Sequence, residues 1–139
     1  MRPKSLVWFD VFALLALALY VARTGFTLLQ LQAAIAAQPG GEPYTLAIAA
    51  SISTVIIGAG LLVWFMASRR RKPSALWLWV GIAVFSLMGL PKTMQAFLAG
   101  QLVVADVLYD VLYFGALLAS VVALLRPSSR AWIEVGRKD

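Results

Sequence analysis

Ser68-Arg69-Arg70-Arg71-Lys72-Pro73 is the densest run of charge in the chain, and it separates two long apolar stretches. Four consecutive cations are too costly to place in hydrocarbon and are poorly translocated across a bilayer. The segment therefore reads as a cytoplasmic turn between two membrane-spanning helices. Outward from it, residues 44–68 form one apolar run and residues 74–98 the next. Each exceeds the roughly 20 residues that a span requires.

Beyond these, residues 5–38 and 102–125 supply two more apolar runs. The first is too long for the h-region of a signal peptide, about 7–15 residues, and Asp10 and Arg23 interrupt it. It is read as a retained span whose surplus length tilts or projects. Gln38-Pro39-Gly40-Gly41-Glu42-Pro43 is a breaker cluster and Ala99-Gly100-Gln101 a short turn. Pro73 suits a first helical turn, and Gly89 with Pro91 should kink the third helix. The last span stops at Arg126-Pro127, leaving a tail over 126–139. Its Trp132 and Ile133 among Arg130, Arg137 and Lys138 fit a surface helix on anionic lipid or a solvated tail equally well.

The composition agrees with a lipid solvent. Hydrophobic residues make up 62% of the 139 and charged ones 13%, about half the charged share of soluble domains. The net charge of +6 comes from cations at the ends of apolar runs rather than from an aromatic and basic groove. Anionic headgroups at the cytoplasmic face are thus the expected counter-charge, and nucleic acid is not an expected partner. Cysteine and histidine are both absent, which removes disulfides, thiol redox chemistry, imidazole or thiolate metal sites and His-ligated haem. No metal or cofactor is expected. The fold class is all-α, a four-helix transmembrane bundle running up-down-up-down as one domain, with both termini cytoplasmic by the distribution of Lys and Arg.

Counting about 1.5 Å per residue from the cytoplasmic anchors gives each buried charge a depth. Arg23 lies about 28 Å above Lys4, Lys92 about 30 Å above Lys72, and Asp110 and Asp106 about 24 and 30 Å above Arg126. All fall in one slab near the outer face. Stripes at steps of three and four carry them: Ala16, Tyr20, Arg23, Thr27, Gln30 and Ala34; Ala47, Ser51, Thr54 and Gly58; Gly81, Val84, Met88, Lys92 and Gln95; Asp106, Asp110, Tyr113, Leu117 and Ser120. These stripes are expected to face one another, with Arg23 and Lys92 neutralising Asp106 and Asp110. Asp10 belongs instead to the cytoplasmic edge, with Lys4 or the basic turn as partner. Gly115, Ala119 and Ala123 repeat at every fourth position on another face, a spacing that admits an internal helix, a membrane protein partner or a second copy.

The cysteine pairs of quinone-linked disulfide enzymes, the axial histidines of four-helix cytochromes b and the embedded glutamate of small multidrug transporters are all missing. The run Leu61-Leu62-Val63-Trp64-Phe65 into Arg69-Arg70-Arg71-Lys72-Pro73, then Leu76-Trp77-Leu78-Trp79, resembles small four-helix bacterial inner-membrane proteins of a domain of unknown function. Leu124-Leu125-Arg126-Pro127-Ser128-Ser129-Arg130 extends the likeness to the fourth span. It implies the architecture and a multi-pass inner-membrane location, and no chemistry.

Three functions remain open on the sequence. The first is a non-enzymatic membrane protein that binds a protein partner or lipid within the bilayer. The second is a solute or ion carrier using Arg23, Thr27, Ser51, Thr54, Lys92, Gln95, Asp106, Asp110 and Tyr113. The third is a lipid-modifying enzyme with Asp106 or Asp110 as a general base beside Tyr109 or Tyr113. A purely structural role, in which the same polar groups staple helices together, competes with the last two.

Overall fold

A computed structural model describes residues 2–38, 40 and 43–135. Among them the chain is helical, with no strand. The helices are α1 (Lys4–Ala37), α2 (Pro43–Ser68), α3 (Pro73–Leu87), α4 (Leu90–Leu98), α5 (Val104–Leu125) and α6 (Pro127–Val135). Four spans, with α3 and α4 counted together, are long and apolar enough to cross a membrane, which points to a multi-pass membrane protein.

The breaks follow local chemistry. α3 opens with a proline in its first turn, where a missing N–H costs nothing. It ends at Leu87 and α4 begins at Leu90, so the Gly89 and Pro91 pair breaks the third span rather than merely bending it. Gly100 takes a φ of +67° in the turn before α5. In the basic turn, the Arg70 N–H donates to the Phe65 carbonyl and the Lys72 N–H to the Met66 carbonyl. This geometry forces Arg71 to a φ of 52°, a conformation that disfavours side chains with a Cβ. The turn expected over 38–43 is described only at Gln38, Gly40 and Pro43, and Arg137 and Lys138 lie outside the described residues.

Contacts tie the helices into a ring, α1 to α2 and α5, and α3 to α2 and α5. Along α1, Ser5 meets Ser129, Leu19 meets Tyr109 and Arg23 meets Asp106, so partner numbers fall on α5 and α6 as they rise on α1. The same holds against α2, where Asp10 meets Ser68 and Leu17 approaches Gly60.

The core is confined to one half of the bundle. Its members on α1 stop at Ala16, those on α3 at Ala83, and those on α5 begin at Ala116. Seven of the fourteen are alanine (Ala13, Ala16, Ala67, Ala75, Ala83, Ala116, Ala123). Because lipid tails are as apolar as leucine, burial alone does not join helices in a bilayer, and small residues let backbones approach for dispersion contact. Phe9 and Trp79 fill the remaining volume edge to face, 5.6 Å between ring centres, and Trp79 donates its indole N–H to Ser120 Oγ at 2.9 Å. This half is the basic end, where Arg2, the 69–72 turn and α6 converge. The other half is the distal end, which holds no member of the core although α1 and α5 stay in contact there.

The tail forms the short helix that was one of its two expected forms, and that helix has one side on the protein. Ile133 and Ser129 are buried, Ser129 donates to the Ala123 carbonyl and contacts Ser5 Oγ at 2.7 Å, and Arg71 lies 4.0 Å over the Trp132 ring. Ile133 and Ser129 on α6 pack on the protein, where Ser5 and the end of α5 offer hydroxyl partners and a core to join.

Candidate functional site

At the distal end, Arg23 Nη1 donates to Asp106 Oδ1 at 2.5 Å, and the guanidinium sits 5.1 Å from the Tyr109 ring centre. Tyr109 donates to the Leu19 carbonyl at 2.9 Å and stacks on Tyr113, which also meets Tyr20. α1 and α5 are thereby fastened by one ion pair, one hydrogen bond and a stack of three tyrosines. The four-charge network does not form. Among the described residues Lys92 makes no ion pair and lines a cleft, while Asp110 makes neither a hydrogen bond nor an ion pair and borders a different, apolar cavity. Lys92 borders the same cleft as Gly81, Phe85 and Met88, across from the face of α1 and α5 where Arg23 and Asp106 pair.

The stripe on α5 does face inward, with Leu117 and Ser120 buried and Asp106, Asp110 and Tyr113 half-buried. The stripe on α2 does not. Ala47, Ser51, Thr54 and Gly58 are exposed, and the inner line is Ser53, Ile57, Gly60, Trp64 and Ala67. Ser51 and Thr54 donate to the carbonyls of Ala47 and Ala50, one turn back. A hydroxyl satisfied in this way tolerates a lipid-facing position. Thr27 likewise donates to the Arg23 carbonyl, and Gln95 is exposed. Of the small residues, Gly115 is exposed, Ala119 half-buried and Ala123 buried beside α6.

All four spans border a cleft of about 1240 Å³. Its floor is the top of the core at Ala16, Trp79 and Leu117, and Gly60 and Gly81 widen it. Gly60 is needed for the close approach of α1 to α2, since a Cβ there would lie 2.8 Å from Leu17 Cδ2. Nothing lies within 4 Å of a Cβ on Gly81, so that glycine leaves open volume. Ile56 on α2, Phe85 on α3 and Met88 just past its end form an exposed rim, so the cleft opens sideways between those helices. Lys92 is the single charged residue on its wall.

Asp10 does find partners at the basic end, though Arg2 and Trp64 were not among those expected. Asp10 accepts from Arg2 Nη2 at 2.6 Å, Trp64 Nε1 at 3.0 Å and Ser68 Oγ at 2.5 Å, and Arg2 also donates to Ser68 Oγ. The partner is Arg2, not Lys4, which is exposed. Ser68 is the contribution of the basic segment. The signal lay in spacing, since residues 2 and 10 are two helical turns apart, within reach of an arginine folded back along α1. With its carboxylate fully engaged, this centre fastens α1 to α2 and offers no free group for chemistry. No group of three metal-ligating side chains converges among the described residues.

No family model, no curated protein and no solved structure matches the chain.

Proposed function

We propose that this protein is a non-enzymatic membrane protein that holds an acyl-chain amphiphile in the cleft between its four spans. The observation that carries the reading is the cleft itself. At about 1240 Å³ it exceeds the roughly 300–1,000 Å³ typical of small-molecule sites. Apolar side chains make most of its wall, and its mouth faces the lipid rather than water. A cavity with such walls favours apolar occupants over water. Lys92 is placed to meet an anionic head, while Tyr20, Tyr113 and Ser86 supply weaker polar contacts along the wall.

In this reading the chain threads the inner membrane of a bacterial cell four times, up-down-up-down, with both termini and the basic turn in the cytoplasm. Support comes from the cations gathered at one end of the bundle, where anionic headgroups supply the counter-charge. The carrier reading loses support, because Arg23 and Asp106 are committed to each other and Lys92 stands apart from both.

The test is to purify the protein through detergent exchange and quantify co-purified lipid by mass spectrometry, comparing wild type with Gly81→Leu. The variant fills the cleft where the backbone leaves room, so helicity and thermal stability should be retained while the bound amphiphile is lost. Wild type free of bound lipid, or a folded variant that retains as much as wild type, would refute the reading.

A further inference from the structure

Among the described residues, cations outnumber carboxylates at the basic end. Arg69, Arg70, Arg71, Lys72, Arg126 and Arg130 make no ion pair there, and Asp10 is committed to Arg2. Lysine and arginine stay protonated at physiological pH, so this excess of positive charge depends on no titration. Two of the guanidinium groups are held over indole rings. Arg71, in the turn between α2 and α3, lies 4.0 Å over the ring of Trp132 on α6, and Arg130 on α6 lies 5.9 Å from the ring of Trp77 on α3. A cation over a ring face uses none of its N–H donors. Arg71 makes no side-chain hydrogen bond to the described protein, so it is held in place with its donors free.

The backbone points to the same residue. Among the described residues, Arg71 alone of the non-glycines takes a positive φ, 52°. Past the end of a helix such a position commonly falls to glycine, which has no Cβ to strain. Arginine costs the turn a strain that glycine would spare it, and strain of this kind clusters where a side chain meets a ligand.

We infer that Arg71, backed by Trp132, binds the phosphate of an anionic phospholipid whose headgroup lies against the basic turn. Charge complementarity gives the sign of the ligand. The planar guanidinium selects phosphate, which it can meet with two parallel hydrogen bonds. Trp77 and Trp132 set the site at headgroup depth, since indoles favour the membrane interface. This is one site of defined geometry rather than the diffuse attraction of a basic surface, and it depends neither on the cleft nor on its occupant.

Short-chain phosphatidylglycerol is titrated into the full-length protein in neutral-detergent micelles, and bound lipid is counted by native mass spectrometry. The substitutions leave the cleft intact, so lipid held there contributes equally to every sample. Arg71→Gln should weaken the site roughly 10- to 100-fold, the scale of hydrogen bonds to a charged group. Arg69→Gln removes the same charge from an exposed neighbour and should cost only about 5-fold, the share of one cation near an anionic surface. Arg71→Lys keeps the charge and loses the fork, so it should resemble Arg71→Gln more than wild type. Arg71→Gly suits the backbone at this φ and supplies a folded variant if Arg71→Gln is unstable. Phosphatidylcholine, which carries the phosphate without net charge, should bind about 5-fold more weakly or worse. Equal losses at positions 69 and 71 would dissolve the site into general surface charge. Wild-type affinity in Arg71→Lys would overturn the bidentate geometry, and equal affinity for phosphatidylcholine would overturn selection by charge. Displacement by equimolar inorganic phosphate would reassign the site to a soluble ligand.

Discussion

Replacing Asp10 by alanine should destabilise the protein by about 3 kcal/mol, the low end of the 3–5 kcal/mol for breaking a buried ion pair. Three donors converge on this carboxylate, from Arg2, Trp64 and Ser68. Individually, hydrogen bonds to a charged group contribute about 1.5–3 kcal/mol, but donors sharing one acceptor do not add. The side chains of Arg2 and Asp10 are 25% and 13% exposed, so partial hydration of the stranded guanidinium keeps the loss near the bottom of the range. Arg2 already has its Nε buried without a partner, so the guanidinium has few alternatives once Asp10 is gone. Asp10→Asn preserves an oxygen for Trp64 and Ser68 and removes only the charge opposite Arg2, so about half the loss is expected. Arg2→Met combined with Asp10→Leu should recover much of it, because neither charge is left alone. The assay is reversible unfolding in mixed micelles, followed by tryptophan fluorescence. A loss for Asp10→Ala below about 1 kcal/mol, the range of exposed ion pairs, would refute the reasoning and make the centre a hydrated surface feature.

Reversing both charges of the Arg23 and Asp106 pair should restore stability lost in either single reversal; a double variant worse than both singles would mean that the pair does not couple α1 to α5. Trp79→Phe keeps the ring beside Phe9 and deletes the bond to Ser120, whose hydroxyl still donates to the Leu117 carbonyl, so the cost should be about 0.5–1.5 kcal/mol for one lost hydrogen bond, and a change within error would show that the indole N–H adds nothing. Because the chain has no cysteine, single-cysteine variants map orientation directly. An impermeant maleimide should label Gln38→Cys in intact cells and Glu134→Cys only after lysis, and the reverse pattern would invert the proposed topology.

The features legible in the sequence were those with a local cause. Arg69 to Lys72 cannot enter hydrocarbon, Pro73 starts a helix, and Gly89 with Pro91 interrupts one wherever the pair falls. The ends of the helices and the inward face of α5 follow from such rules. The inner face of α2 was not legible, because nearly every position is apolar and Ser51 and Thr54 satisfy themselves on their own helix. In water a polar residue marks the outside of a helix; in lipid a self-bonded hydroxyl marks neither side. Gly60, where α1 approaches closest, was the better marker. Arg23 and Asp106 do share a level, as the rise per residue requires, but depth alone does not fix direction, and Lys92 faces the cleft rather than this pair. Arg2 was read only as a sign of orientation, and its role beside Asp10 went unseen.

α4 and α6 have nine residues each, yet differ in what holds them. α6 is anchored by Ile133, Ser129 and the ring of Trp132, whereas no residue of α4 is buried. Amide exchange should therefore not be uniform along the molecule: protons on α6 open only with the bundle, while those on α4 escape through local excursions that leave the rest intact. Lys92 is carried on this weakly tethered segment, so local opening of α4 would move the one charged group of the cleft without disturbing the core beneath it.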